Sequence, residues 1–343
     1  MGNYVCRRLA FGVLLLGVSS SLFAAKPNPE LITADRLRSH LEFVASDLME
    51  GRNTPSRGLD ITARYLVTQC KLMGLQPAGE TKTFFHWYET KTRGGATIKS
   101  QNVIAKIEGS DPKLKDEYIA ISAHYDHIGL ESEGRDRINN GADDDGSGTV
   151  ALLEIARAIM MGPKPKRSIL FIWHSGEERG LLGSKAYTET PTVDLKKIAG
   201  LINIDMIGRA RPAGDTNPRN EKLVPPRSIY VVGSRELSTE FGDWVAKAND
   251  GYLKLKYDYY YDQPSKPDRI YFRSDHYNYA VKGIPIVFFF NGTHEDYHQV
   301  SDEVDKIDFP QFEAVARTIL VTLYQIADKS TRPKMNAPAP ASF

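Results

Sequence analysis

Five segments of this sequence place His, Asp or Glu where an apolar run gives way to polar residues. They are His124-Tyr125-Asp126-His127, Asp143-Asp144-Asp145, Glu177-Glu178, Asp205, and the stretch from Asn291 to Asp302 that contains His298. Imidazole and carboxylate donors with no cysteine among them suit zinc in a catalytic rather than a structural site. On an extended chain, positions i and i+2 point the same way, so His124 and Asp126 share a face. A ligating imidazole usually donates its second ring N–H to a carboxylate, and Asp126 stands where that support is needed. Alone, His124 would read as an ordinary surface histidine. Three adjacent carboxylates repel one another and persist where cations or water neutralise them. Asp143 to Asp145 therefore read either as metal-binding or as a solvated acidic turn, and the alternating ligands and final Glu of a calcium loop are missing. The Glu177-Glu178 pair can divide metal binding from proton transfer. A solvated turn is the alternative, weakened because the pair interrupts an apolar run and has Gly176 and Gly180 beside it. Asp205 sits among Ile204, Met206 and Ile207, where a carboxylate needs a partner, either a metal or a loop hydrogen bond.

The elements that must position these residues follow from periodicity. Short runs rich in β-branched and aromatic residues, at 102–107, 118–123, 169–173, 201–207, 229–232 and 286–290, predict strands covered on both faces. Helical stretches at 147–161, 182–188, 238–249 and 308–327 alternate with them. Two further helices precede the strands. One carries Ala34, Leu37, Leu41, Val44 and Leu48 at helical spacing, with Thr33 or Asp35 as its cap. The other carries Ile61, Tyr65, Leu66, Cys70 and Leu72 and stops at Gly74. This order predicts a three-layer α/β sandwich with a mostly parallel twisted sheet, whose site lies at the carboxyl ends of the strands. Polar or Tyr-rich insertions at 210–226 and 254–268 read as surface loops, and the Pro-rich segment 330–343 as a disordered tail.

The 343 residues are 41% hydrophobic and 25% charged, an ordinary globular composition. Residues 1–25 differ: Arg7 and Arg8 precede an apolar run from Leu9 to Val18, and small residues lead to Ala24-Ala25. That is the pattern of a secretory signal peptide, so the expectation is a secreted or periplasmic protein with one catalytic domain over 26–329. An uncleaved membrane anchor is the alternative. Loss of 1–25 removes two arginines and no acid, so the net charge of +1 becomes −1. Such a balance suggests neither a nucleic-acid partner nor a stable membrane partner. Cys6 would leave with the signal, and Cys70 would remain unpaired.

The ordered set His124-Tyr125-Asp126, Gly141 to Gly148, Glu177-Glu178, Asn203-Ile204-Asp205-Met206 and Tyr297-His298 resembles the co-catalytic two-zinc aminopeptidase family. This is the bacterial leucyl-aminopeptidase type, whose relatives include glutamate carboxypeptidase and the transferrin receptor ectodomain. The resemblance covers about residues 33–328, including Ala45 to Arg52, and Ser274-Asp275-His276 is similar to a segment beside the family's active site. It implies two Zn2+ ions: His124 and Asp205 on one, Glu178 and His298 on the other, and Asp144 bridging three residues before Ser147. It further implies a cis Asp144–Asp145 bond, Asp126 supporting His124, and Glu177 as general base in removing amino-terminal residues from peptides with a free N-terminus. No ligand role falls to His127, His174 or His294. Three rivals remain. A carboxypeptidase of this fold would need a cationic pocket from Arg209, Arg211, Arg227 or Arg273. A glutaminyl cyclase would lack the first histidine. A non-catalytic binding module would have lost ligands, and none is lost here.

Overall fold

The computed structural model describes residues 1–2, 26–91 and 95–336, so the signal-peptide expectation and residues 337–343 lie outside the described residues. Helix α1 (Ala34–Val44) and α2 (Arg57–Leu72) lead into β1 (Gln76–Pro77), β2 (Phe85–Lys91), β3 (Thr97–Ile107), β4 (Tyr118–His124), β5 (Gly129–Leu130) and β6 (Ile138–Asn139). Then come α3 (Gly148–Met160), β7 (Ser168–His174), α4 (Leu182–Glu189), β8 (Ile198–Ile204), β9 (Ser228–Val232), α5 (Thr239–Asp250) and β10 (Lys256–Asp258). Helix α6 (His276–Val281), β11 (Ile286–Phe290) and α7 (Phe309–Ala327) complete the chain. Nine of these strands form one sheet in the order β1-β3-β7-β4-β8-β11-β9-β10, with β2 also on β3. The central run β7-β4-β8-β11 is parallel, while β3 and β9 flank it antiparallel. The result is an α/β sandwich with parallel strands where the site must be built.

Alternate side chains of one strand enter two different cores. Ile169, Phe171 and Trp173 of β7 pack with α1, α2, α3, α5 and α7, whereas Leu170 and Ile172 pack on the opposite face with Tyr187 of α4 and Tyr279 of α6. Burial on both faces is why these strands read as continuous apolar runs. Hydroxyl and carboxylate caps start the helices: Thr33 on α1, Ser56 on α2, Ser238 on α5 and Asp308 on α7.

Several boundaries differ from the sequence expectation. Helix α1 ends at Val44, and Leu48 is 76% exposed in a following 3₁₀ turn. Strand β8 stops at Ile204, so Asp205 stands at its exit rather than inside it. Strand β2 was not anticipated, because buried His86 breaks its apolar pattern while bonding to Thr190 and Asn102. Residues 330–336 are held on the domain rather than trailing free: Arg332 donates to the carbonyls of Lys196 and Ile198, and Asn336 to that of Leu237. Among the described residues, no helix is long and apolar enough to cross a membrane.

A buried carboxylate ties α1 to α3. Glu154 accepts from Arg36 (2.8 and 3.0 Å), from Arg157 (2.9 and 3.1 Å), and lies 3.1 Å from His40 Nε2. Burial pushes its pKa up, but His40, Arg36 and Arg157 win and hold it at about 2. A folded pKa below the unfolded value stabilises above about pH 4.5 and is lost as pH falls toward 2. Glu154→Gln is therefore expected to cost about 3 kcal/mol at pH 7. Urea titrations at pH 7, 5 and 3.5 should show that gap shrinking with acid, and a constant gap would mean the charge is not its origin.

Candidate metal centre

Four loops at the carboxyl ends of β4, β7, β8 and β11, together with the turn before α3, deliver the predicted residues to one place. His124 is the last residue of β4, and its neighbour in register is His174 of β7. Its Nδ1 lies 3.2 Å from Asp126 O and 3.6 Å from Asp126 Oδ1, while Nε2 faces Asp144 Oδ1 at 3.3 Å and Asp205 Oδ1 at 3.6 Å. Asp126 is occupied on both oxygens, accepting from Thr54 Oγ1 (3.0 Å) and Glu177 N (3.2 Å). The turn that presents Glu177 requires glycine: at Gly176 φ is +72°, and an added Cβ would lie 2.8 Å from the Tyr88 hydroxyl oxygen.

The three consecutive aspartates separate into different jobs. Asp143 accepts from Gly208 N (2.7 Å), Asn291 Nδ2 (2.7 Å) and lies 3.1 Å from His294 Nε2. Asp145 accepts from His124 N (3.2 Å), Gly148 N (2.9 Å) and Met206 N (3.1 Å), joining three segments. Asp144, whose bond to Asp145 is cis, turns its carboxylate toward the imidazoles of His124 and His298. Its backbone N–H donates to Asp302, which also receives Asp143 N. His298, at φ 56°, brings Nε2 to 3.2 Å from Asp144 Oδ2 and 3.1 Å from Glu178 Oε2, with Tyr297 stacked on its ring at 3.9 Å.

All seven residues singled out in the sequence thus converge: His124, Asp126, Asp144, Glu177, Glu178, Asp205 and His298. His127 was missed. It lies fully buried with Nδ1 2.8 Å from Glu178 Oε1. The i, i+2 rule did not reach it, because the chain leaves β4 at His124 and the alternation ends there. His174, by contrast, meets the Tyr279 hydroxyl at 3.2 Å, and His294 serves Asp143. Ser274 accepts from Asn203, and Asp275 is a buried carboxyl pushed up to about 7 by burial.

Among the described residues, two groups could hold an ion, His124/Asp144/Asp205 and His127/Asp144/Glu178, with Asp144 common to both. The buried His124 Nε2, both His127 nitrogens and Glu178 Oε1 have no hydrogen-bond partner, the condition expected of atoms that ligate. Charge is correspondingly perturbed. Burial works against ionised Asp144, yet His124 and His298 hold it well below the usual carboxylate range. Burial, followed by Glu178 and Asp205, pushes Glu177 well above that range despite His124.

Residues 102–323 match the family model of peptidase family M28. The chain belongs to peptidase family M28. It is 28% identical over 292 residues to leupeptin-inactivating enzyme 1 of Streptomyces exfoliatus, covering 83% of this chain and 55% of that protein. The chain spans about half the length of the first curated relatives it matches. The LapA aminopeptidase of Legionella pneumophila superposes with a TM-score of 0.66 at 24% identity, over 88% of this chain and 74% of that one. A glutaminyl cyclase of Porphyromonas gingivalis also gives 0.66, at 19% identity over 85% and 98%. Fold is therefore shared across different chemistries, and the M28 site itself must choose between them.

One buried cation underpins the M28 site. Arg52 donates from Nε to Tyr125 O (3.0 Å), from Nη1 to Val44 O (2.8 Å) and Asn140 O (2.6 Å), and from Nη2 to Gly141 O (2.9 Å). It thereby clamps the exit of β4 to the start of the aspartate turn. Arg52→Lys cannot reach carbonyls on so many sides, and each orphaned carbonyl costs about 1–3 kcal/mol. We expect a loss of about 3–5 kcal/mol in urea unfolding with unchanged m-value; a loss below about 1 kcal/mol would mean that the carbonyls find other donors.

Proposed function

We propose that this M28 chain is a two-zinc aminopeptidase, secreted or periplasmic, that removes amino-terminal residues from peptides. The observation that carries the reading is one carboxylate, Asp144, common to two donor groups in which His124 Nε2, His127 Nδ1 and Glu178 Oε1 are buried without a hydrogen-bond partner. The residues fit zinc: imidazole and carboxylate donors, no cysteine, and the Asp126 backbone carbonyl at 3.2 Å behind the His124 ring. His124 and Asp205 would hold one ion, Glu178 and His298 the other, with Asp144 between them. Zinc, when bound, supplies Lewis acidity toward a peptide carbonyl and acidifies a nearby water.

The remaining steps belong to the chain. Glu177 is anchored through its backbone N–H on Asp126, so its carboxyl can take a proton from water and return it to the leaving nitrogen. Its raised proton affinity moves it in the direction that a shuttle near neutral pH requires. The Asp126 carbonyl holds His124 by its ring, and Arg52 holds the backbone between them. The adjoining pocket is lined by Asp144, Glu177 and Asp205 on one side and by Met206, Phe288 and Phe290 on another. Carboxylates suit a free α-ammonium, and the apolar wall suits a nonpolar first side chain.

Of the four arginines a carboxypeptidase could use, only Arg273 lines this pocket. Arg209 is paired with Asp296 at 3.1 Å, Arg211 with Asp215 at 3.9 Å, and Arg227 donates to Leu253 O. Arg273 itself donates to the Tyr297 hydroxyl at 3.1 Å. The presence of His124 disfavours the cyclase reading. Export rests on the basic and apolar pattern of residues 1–25.

The test is a panel of aminoacyl chromogenic substrates beside N-acetylated peptides with free carboxyl ends. Cleavage confined to free-amine substrates is expected; cleavage of the blocked peptides from the carboxyl end would replace this reading with its rival. Glu177→Gln should retain its metal, counted by elemental analysis, while kcat falls by roughly 10²–10⁴-fold. Undiminished turnover would remove Glu177 from the proton path.

A further inference from the structure

We propose that His127 is itself a ligand of the ion held by Glu178, which makes that position closed and leaves the His124 position open. The inference rests on the two-zinc reading above and adds a residue to it. His127 Nδ1 stands 2.8 Å from Glu178 Oε1 and 3.9 Å from Asp144 Oδ2. His127 Nδ1 and Glu178 Oε1 approach to 2.8 Å, yet neither atom meets the geometry of a hydrogen bond with any partner. His127 Nε2 has no partner either, and the side chain is fully buried. Buried imidazole and carboxylate atoms left unpaired are costly, unless both face a third group. His124 shows the same signature: Nε2 lies 3.3 Å from Asp144 Oδ1 and 3.6 Å from Asp205 Oδ1 without a hydrogen bond to either. Equivalent geometry on the two sides of Asp144 points to equivalent chemistry.

The backbone is shaped to keep the ring there. His127 N donates to Arg52 O at 3.2 Å, so the residue hangs from the buried arginine's own segment. Gly141 has φ +56°, and a Cβ added to it would lie 2.6 Å from His127 ring carbons. Glycine at 141 thus leaves room for the imidazole as well as for the Asp144 carbonyl, which would lie 2.2 Å from the same Cβ. Counting donors then separates the two positions. Glu178, His298, Asp144 and His127 surround one, and His124, Asp205 and Asp144 the other. Zinc with four protein ligands is closed, whereas three leave a place for water or substrate. The His127 ion is retained, and the His124 ion is the exchangeable one.

Graded dialysis of the zinc-loaded full chain against a chelator, with metal counted at each step, reads this directly. The wild type should lose one ion early and keep the second to far lower free zinc. His127→Leu should weaken the retained ion by at least roughly 10–100-fold, the loss that even outer partners of a metal ligand produce, and merge the two steps. His127→Asn should do the same; if Asn restores retention, His127 acts only by hydrogen-bonding Glu178 and the ligand assignment falls. Unchanged retention in His127→Leu overturns it as well. Circular dichroism of the metal-free variants checks their folding. Should they not fold, cobalt in the retained position of the wild type still decides: its visible spectrum should ignore added azide, and a shifted band means the position is open. A wild type that binds no metal would sink the peptidase reading itself, a result distinct from two ions held equally with and without His127.

Discussion

A cluster of carboxylates buried at the ends of parallel strands is the constraint on which the molecule is organised. Asp126, Asp143, Asp144, Asp145, Asp205, Asp275 and Asp302 are all nearly or fully removed from solvent. Each such group loses hydration that only hydrogen bonds or cations can return. The fold meets most of this demand with backbone N–H groups: Gly208 for Asp143, Gly148 and Met206 for Asp145, and Asp143 and Asp144 for Asp302. Imidazoles and Arg52 answer part of what is left. Asp144, Asp205 and Glu178 keep their remaining oxygens for one another's neighbourhood, and that residual demand is what makes the place a candidate for a metal ion.

Rigidity at this place comes from connections between segments far apart in the chain. Asp302 lies four residues beyond His298 and grips the turn that carries Asp144. Asp145 holds the ends of β4 and β8 through His124 N and Met206 N. Thr54, before α2, joins Asp126 to Gly176. Each link ties one donor-bearing loop to another, so displacement of a single loop is resisted by the rest. A reaction that depends on donors being preorganised needs this kind of cross-bracing.

Much of this architecture was legible in the residues. Central strands announced themselves as apolar runs because both faces are covered, and the donors announced themselves by interrupting those runs. Edge elements did not: β2 carries a buried His86, whose hydrogen bonds hide its polarity only in three dimensions. Leu48 continued a helical pattern that the chain abandons, since Glu50, Gly51 and Arg52 take left-handed conformations there. The segment 330–336 looked like tail because proline and charge dominate it, yet Arg332 finds carbonyls on β8 and the turn before it.

Residue type and order by themselves determined the strand–helix alternation, the family and the chemical nature of the donors, because these depend on local period and on functional groups. Tertiary structure alone decided which of three adjacent aspartates faces His124 and His298, that Arg52 lies beneath them, that Arg273 is the arginine at the pocket, and that His127 lies against Glu178. Those facts depend on directions in which side chains leave irregular turns, and direction there is set by packing between distant segments rather than by any repeat along the chain.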